Sequence, residues 1–403
     1  MTPHILCLLE NEGYPHDRKV RQQADSLVAA GYRVTVISPT GYGHDEPEEV
    51  MHGVRVIRYR LPPEGGGVVG YVREYGLSLA RMARAARSLI RSDPPDIVMP
   101  CNPPDLLVPL ARALTRGAAA IVFDHHDLSP ELFERKFARR GALHRLLLTT
   151  ERAAYRWSDV VLEPNTAYAE IAQARGRFPR ERIFVVRHGA DTDVFRPTPP
   201  DPRLRHRSRM ILWMGNMTSI DRVAALLDAA AVLRARQRDD IGFTLLGSGE
   251  AAEEIRDEIR CRDLEPCFDL PGPVYGDKLR TYLATADVCV SVDVRNPMND
   301  ASTVTKVIDY MTMGRPVIQF PLREMSRLCA ETTAYAKEGD AVDLADQIEA
   351  LLNDSDRADR LGAAARERVL DVLAWDKQVP VLLDAIGAAL ALRQTPAPLA
   401  SAR

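Results

Sequence analysis

Two stretches of the chain combine residue types that could hold an anion and position a reacting group. The first runs Asn299-Asp300-Ala301-Ser302-Thr303-Val304-Thr305-Lys306-Val307-Ile308-Asp309-Tyr310-Met311, with Gly314-Arg315-Pro316-Val317 after it. A polar loop there opens a helix that closes at Gly314, ahead of a buried strand. A helix start presents unpaired backbone amides and the positive end of the helix dipole, which suits a phosphate. Ser302 or Thr303 could cap the helix or bond the anion directly. Lys306 stands in the first turn, where a cation disfavours the helix itself and favours a bound anion. Asp309 follows on the Lys306 face, placed to accept from two vicinal ribose hydroxyls. The plain alternative is a solvated helix start with a Lys306–Asp309 pair.

The second stretch is Phe123-Asp124-His125-His126-Asp127-Leu128-Ser129-Pro130-Glu131, directly after an apolar run. The carboxyl end of a strand is where an α/β protein places its chemistry. Neighbouring side chains there point apart, so His125 and His126 would not share one metal ion. The reading is a polar active-site loop, with a structural turn as the alternative. Weaker signals are Met214-Gly215-Asn216 and Gly247-Ser248-Gly249, which end apolar runs and let backbone approach a ligand closely. Gly215 and Asn216 would face a phosphate. Asp191-Thr192-Asp193 resembles a metal-binding pair but reads as a turn, because no further oxygen ligands stand near it. Gly65-Gly66-Gly67-Val68-Val69-Gly70 fits a dinucleotide fingerprint by letter. It does not join the first strand to the first helix, so it reads as a flexible loop.

These residues need a scaffold, and the hydrophobic pattern supplies one. Short β-rich runs at 5–9, 34–37, 54–57, 97–99, 121–123, 160–162 and 183–186 alternate with amphipathic segments. Asp17 caps the first of those helices, Val20, Ala24, Leu27 and Val28 form its apolar face, and Gly31 ends it. A proline-rich segment at 196–202 cannot continue a helix or a central strand. Beyond it the alternation restarts, with strands at 210–214, 243–246, 288–292 and 317–320. The expected architecture is α/β: two doubly wound, Rossmann-like domains at 1–197 and 203–372, facing across a cleft that is the default ligand site. A helix at 373–393 is expected to pack back toward the first domain, and 394–403 reads as a frayed tail.

Composition narrows the function classes. The chain has 403 residues, 46% hydrophobic and 27% charged, with a net charge of -3. That excludes a disordered or collagen-like chain and gives no global basic field for nucleic acid. No run is long and apolar enough to cross a membrane, and the N-terminus lacks the basic region of a signal peptide. Six scattered cysteines without a C-x-x-C pair read as reduced packing residues of a cytoplasmic protein.

Taken together, the motifs resemble those of the retaining, nucleotide-sugar-dependent glycosyltransferases of family four, which have the GT-B fold. Asp17-Arg18-Lys19-Val20-Arg21-Gln22 with Gly31-Tyr32-Arg33-Val34 is similar to the family's first helix and second strand. Phe123–Leu128 resembles its Asp-x-His-Asp/Glu loop, 182–191 its strand ending in Asn-Gly-x-Asp, and 305–317 its Asn-Lys-x-x-Glu-Tyr-Met…Gly-x-Pro-Val signature. The resemblance covers nearly the whole chain. It implies that Asp309 holds the donor ribose, that the Ser302, Thr303 and Val304 amides with Lys306 hold the diphosphate, and that Val274 lies beside the base. It also implies that His126 approaches the transferred sugar and that Asp17, Arg18 and Asp127 serve the acceptor side. No metal and no cofactor are implied, the donor being a UDP- or GDP-sugar co-substrate. Departures are visible. Asp309 replaces the usual Glu, Ala301 with Asp300 beside it replaces a second Glu, and His188 replaces the Asn before Gly189. Gly215-Asn216…Asp221-Arg222 stands for the usual Gly-Arg…Lys-Gly clamp, leaving Arg222 and Lys306 as compensating cations.

The reading is therefore a glycosyltransferase acting on a glycan, lipid-linked or small acceptor. Residues 133–157 are rich in arginine with interleaved apolar residues, and 81–91 are basic too. Both suit peripheral contact with the inner face of a membrane or, equally, ordinary amphipathic helices. One rival is a nucleotide-sugar epimerase on the same fold, which would turn over donor without acceptor. The other is a non-catalytic nucleotide-sugar-binding subunit, which would bind donor without turnover.

Overall fold

The computed structural model describes residues 2–10, 13–41, 43–61, 67–137, 140–219 and 223–394. Asp221 and Arg222, Gly65 and Gly66 of the glycine run at 65–70, and the tail beyond 394 lie outside the described residues. The chain forms two compact units, Met1–Arg187 with Gln378–Arg403, and His188–Lys377.

The first unit is built on an eight-stranded sheet of β1 (His4–Leu9), β2 (Arg33–Pro39), β3 (Glu48–Met51), β4 (Val54–Tyr59), β5 (Ile97–Cys101), β6 (Ala120–Asp124), β7 (Val160–Glu163) and β8 (Ile183–Val185). Their order is β3-β4-β2-β1-β5-β6-β7-β8, parallel except for the β3–β4 hairpin. β1, β5, β6 and β7 are buried along their whole length, as expected of strands covered on both faces. Asp17 caps the helix Arg18–Ala29, its Oδ1 accepting from the Val20 amide at 2.9 Å. The helix Trp375–Gln394 reaches this unit, where Arg393 bonds the Ala118 carbonyl and pairs with Asp96.

The second unit has six parallel strands: β9 (Arg209–Met214), β10 (Ile241–Leu246), β11 (Phe268–Gly272), β12 (Val288–Ser291), β13 (Val317–Gln319) and β14 (Ala334–Tyr335). Their order is β11-β10-β9-β12-β13-β14. Alternate residues of β9 feed two cores. Ile211 and Trp213 pack with Leu226, Phe243 and Ile348, while Met210 and Leu212 pack with Val307, Tyr310 and Met325. In both sheets the winding reverses once, between β1 and β5 and between β9 and β12. The carboxyl ends beside such a reversal form the ligand crevice of doubly wound folds.

Several expectations are corrected. The boundary falls at 187/188 rather than in the proline-rich segment, because residues beyond 188 already belong to the second unit. The Ala190 amide bonds the Leu373 carbonyl at 2.8 Å, Phe195 joins the second core, and the Asp201 amide bonds Thr285 Oγ1. Gly67 to Gly70 is not loop: it opens the helix Gly67–Ser92. Cys261 is exposed, whereas Cys7, Cys101, Cys289 and Cys329 are buried. β3, β11 and β14 have no counterpart in the hydrophobic pattern. β3 is a half-exposed edge strand with two glutamates, β11 contains a proline, and β14 has two residues.

Candidate functional site

In the second unit, the loops after β9, β10 and β11 enclose a cavity of about 410 Å³. Its lining includes Gly215, Asn216, Gly247, Ser248, Val274 and Tyr275. Glycine is required at 247 for the chain's own packing. A Cβ there would meet the Gly215 carbonyl oxygen at 1.9 Å, on a backbone with φ of +143°. The close approach inferred from the Gly-Ser-Gly motif is thus between two loops of the protein, and it shapes the cavity wall. Tyr275, 79% exposed, was not singled out by the sequence, because a tyrosine ahead of a helix carries no signal of its own.

The helix Thr305–Thr312 docks beside this cavity. Tyr310 is fully buried and its hydroxyl accepts from the Met214 amide at 2.8 Å. Lys306 Nζ lies 4.9 Å from the Trp213 ring centroid, a cation–π contact, and 2.8 Å from Asp293 Oδ2. The same Trp213 ring underlies Gly215, its Cζ2 lying 3.0 Å from where a Cβ would stand. Lys306 and Gly215 thus meet one tryptophan, while Asp309 sits buried one turn along from Lys306. Trp213 and Asp293 were missed, since neither stands near Lys306 in sequence.

The loop before this helix differs from expectation. The N-cap is Val304, with no side-chain cap. Ser302 instead closes the preceding short helix, its amide and hydroxyl both donating to the Met298 carbonyl, at 2.9 and 2.7 Å. The Ser302 amide is therefore committed within the protein. Thr303 is half-buried between the two helices, and the Val304 amide lies 3.1 Å from Met325 Sδ. Asp300 does not stand in for a second donor carboxylate, because its Oδ1 accepts from the Arg323 amide at 2.8 Å.

In the first unit, a charged cluster lies at the carboxyl ends of β5 and β6. Asp124 is fully buried, with Oδ1 2.7 Å from Lys19 Nζ and Oδ2 2.7 Å from His126 Nε2. Burial opposes its ionisation, but the Lys19 ammonium and His126 outweigh that and hold its carboxyl well below the usual range. The other nitrogen of His126 lies 3.8 Å from Asp17 Oδ2. His125 turns the opposite way. Its Nδ1 is 3.0 Å from Glu163 and its Nε2 is 3.0 Å from the Asp127 carbonyl. Two acceptors on one ring require both nitrogens to donate, which only the imidazolium can do. Burial alone would favour the neutral ring, yet Glu163 prevails and the His125 pKa rises to about 9. Asn102 ties the loop down. Its Oδ1 accepts from the His126 amide at 2.6 Å, and its Nδ2 donates to the Asp127 carbonyl at 2.7 Å. Asp127 is half-buried. Arg18, also half-buried, opens the helix capped by Asp17.

Cys101, Asp124 and His126 bring three potential metal ligands within 4.8 Å, the one such grouping among the described residues. The chemistry does not suit a metal. The Lys19 ammonium already supplies the positive charge against Asp124, and burial pushes the Cys101 thiol far up, so its thiolate is disfavoured. Asp191 accepts from the Val194 amide at 3.0 Å, which is turn chemistry. Among the described residues no helix is long and apolar enough to cross a membrane.

Residues 18–194 match the family model described as Glycosyltransferase Family 4, and residues 208–354 match that of Glycosyl transferases group 1. A GDP-mannose-dependent alpha-(1-6)-phosphatidylinositol monomannoside mannosyltransferase of Mycobacterium tuberculosis is 29% identical over 210 residues, 49% of this chain and 53% of that one. The curated relatives that match are spanned over 41–73% of their lengths. A sucrose-phosphate synthase structure from Thermosynechococcus elongatus superposes with a TM-score of 0.80 at 18% identity, over 97% of this chain and 100% of that one. HepE of Anabaena in complex with UDP-glucose superposes with a TM-score of 0.70 at 16% identity, over 95% and 99%. At such identities the superpositions speak to the fold, which is GT-B, with two parallel-sheet domains.

Proposed function

Because the chain belongs to the family-four glycosyltransferases, we propose that it transfers a sugar from a UDP- or GDP-sugar, with retention and without a metal, to a glycan, lipid-linked or small acceptor. The observation that carries the assignment of roles is the joining of the β9–β11 cavity to Lys306 through Trp213. In this reading Gly215 and Asn216 receive the diphosphate with Thr303, Val304 and Lys306. Asp309 accepts from the ribose, and Val274 and Tyr275 flank the base. Asp293 sets the direction of the Lys306 ammonium, which stabilises the departing diphosphate. Arg222 is a further candidate cation. His126, oriented by Asp124, contacts the transferred sugar, and Asp17, Arg18 and Asp127 serve the acceptor. The protein's contribution is then positioning and charge stabilisation of the leaving group. Exposed Arg152 and Arg156 on the helix Ala142–Trp157 support a cytoplasmic enzyme that touches an anionic membrane face.

The test is a panel of UDP-, GDP-, ADP- and dTDP-sugars in EDTA, reading thermal stabilisation and released nucleotide together. Selective stabilisation with release supports the metal-independent transferase. Stabilisation without release, even with candidate acceptors, favours the binding-subunit reading, to which the neutralisation of Lys306 by Asp293 lends weight.

A further inference from the structure

The first unit carries a second concavity, at the opposite end of its sheet from the 124–127 loop. The helix Ala142–Trp157 ends ahead of β7 and the 175–182 segment ends ahead of β8, so the two meet at the amino ends of those parallel strands. The cavity between them is about 650 Å³. Arg152, Arg156, Arg175, Arg177 and Arg182 line it, and no acidic residue does. Arg175 is committed within the protein, pairing with Glu131 and Glu151. The other four guanidinium groups have no carboxylate partner among the described residues. Ordinary helix chemistry accounts for one of them. Arg156 lies in the last turn of its helix, where a cation complements the dipole. Arg152 stands a turn earlier, and Arg177 and Arg182 lie beyond the helix Thr166–Ala174. The chain as a whole is net negative, at -3, so this accumulation of positive charge is local. The segment that carries Arg177 is held against a fixed floor. A Cβ on Gly176 would meet Tyr155 Cδ2 at 2.4 Å, so the backbone there lies directly on the buried Tyr155 ring, with the Phe178 ring beside it. An apolar floor lowers the local dielectric and strengthens the attraction of the arginines for an anion.

We propose that this pocket binds a phosphate-bearing anion with at least two negative charges, a phosphomonoester or a diphosphate. Guanidinium groups present paired N–H donors that match phosphate oxygens. Four unpaired cations around one concavity exceed what a single carboxylate neutralises and suit a multiply charged phosphate. The site lies in the first unit, whereas the proposed donor cavity lies in the second, and it stands independently of the transferase reading. A soluble phosphate and a lipid headgroup share this chemistry. A headgroup would make the pocket the specific element of the membrane contact assigned above to Arg152 and Arg156.

Binding is measured by calorimetric titration of the nucleotide-free full chain with inorganic pyrophosphate at physiological ionic strength. Arg152→Ala combined with Arg177→Ala, both at exposed residues, is expected to weaken binding at least about tenfold, the scale of one charged hydrogen bond. Should that pair fail to fold, Arg156→Ala, also at an exposed residue, takes its place. Lys306→Ala is expected to keep this binding. So is Arg84→Ala combined with Arg87→Ala, which removes the same charge from an arginine-lined groove on the helix Gly67–Ser92. Three results would each overturn the site. One is no pyrophosphate binding. Another is loss of binding in Lys306→Ala with the Arg152 and Arg177 pair unaffected, which would place the anion in the β9–β11 cavity. The third is equal loss in both arginine pairs, which would reduce the effect to general electrostatics. None of these readouts depends on turnover, so failure of the transferase reading leaves them standing. The source of the phosphate is read by cosedimentation with phosphatidylcholine vesicles, with and without phosphatidic acid. Sedimentation that requires phosphatidic acid and the Arg152 and Arg177 pair, and that pyrophosphate displaces, identifies a lipid headgroup. Pyrophosphate binding without such sedimentation identifies a soluble anion.

Discussion

At the ends of β5 and β6 the charged side chains are buried and face one another, whereas at the ends of β9, β10 and β11 an uncharged wall that includes three glycines surrounds open volume. Asp124 spends its two oxygens on Lys19 and His126, and His125 spends both ring nitrogens on Glu163 and Asp127. The β9–β11 cavity instead offers Gly215, Gly247 and Gly249, with Lys306 held at its side by Trp213 and Asp293. A network of paired buried charges fixes a loop. An open cavity between loops has room for a ligand. If the first region fixes a loop and the second binds the donor, as proposed, substitutions in each should separate stability from affinity.

The largest expected effect lies in the first region. Lys19→Met leaves Asp124 buried without its ammonium and should cost about 3–5 kcal/mol of unfolding free energy, read by urea denaturation. The double variant Lys19→Met with Asp124→Leu should recover part of that loss, because an apolar pair removes the stranded charge. Next, Lys306→Ala should lower kcat about 100- to 1000-fold, as removal of one donor to a developing anion does. Its melting temperature should change less than that of Lys19→Met. Equal losses of stability and turnover would make Lys306 a structural lysine. Third, Asp309→Ala should weaken donor binding by about 1.5–3 kcal/mol by calorimetry, the scale of charged hydrogen bonds to ribose.

The fourth effect is a pH dependence. His125 has its folded pKa raised to about 9, above its ordinary value of 6.5. The stabilisation is therefore complete below pH 6.5 and is lost as pH rises through 9. His125→Gln should flatten the decline of melting temperature over that interval, and an unchanged slope would show that His125 is not the group titrating.

Much of the fold was legible because parallel strands buried on both faces read as continuous apolar runs, and every strand so recognised is present. Three of the four edge strands were not, since Glu48 and Glu49 in β3 satisfy solvent rather than a core, β11 contains a proline and β14 has two residues; β8 was read from its apolar run. At the site, local spacing marked the loop at 124–127 and the helix carrying Lys306 and Asp309. It could not supply partners distant in the chain: Lys19 for Asp124, Glu163 for His125, or Trp213 and Asp293 for Lys306. It also misassigned Ser302, because only the structure shows its amide returning to Met298. The domain boundary failed for a similar reason. Prolines mark where regular structure stops, while the unit boundary is set by which core Ala190 and Phe195 enter.

The central claim is that donor binding belongs to the second unit and that His126 acts on the sugar. The most direct test is a paired measurement of nucleotide affinity and turnover in Asp309→Ala and His126→Ala, with the donor selected by the panel. The account predicts that Asp309→Ala loses affinity for the free nucleotide, while His126→Ala keeps it and loses turnover. A large loss of nucleotide affinity in His126→Ala, with Asp309→Ala unchanged, would contradict it.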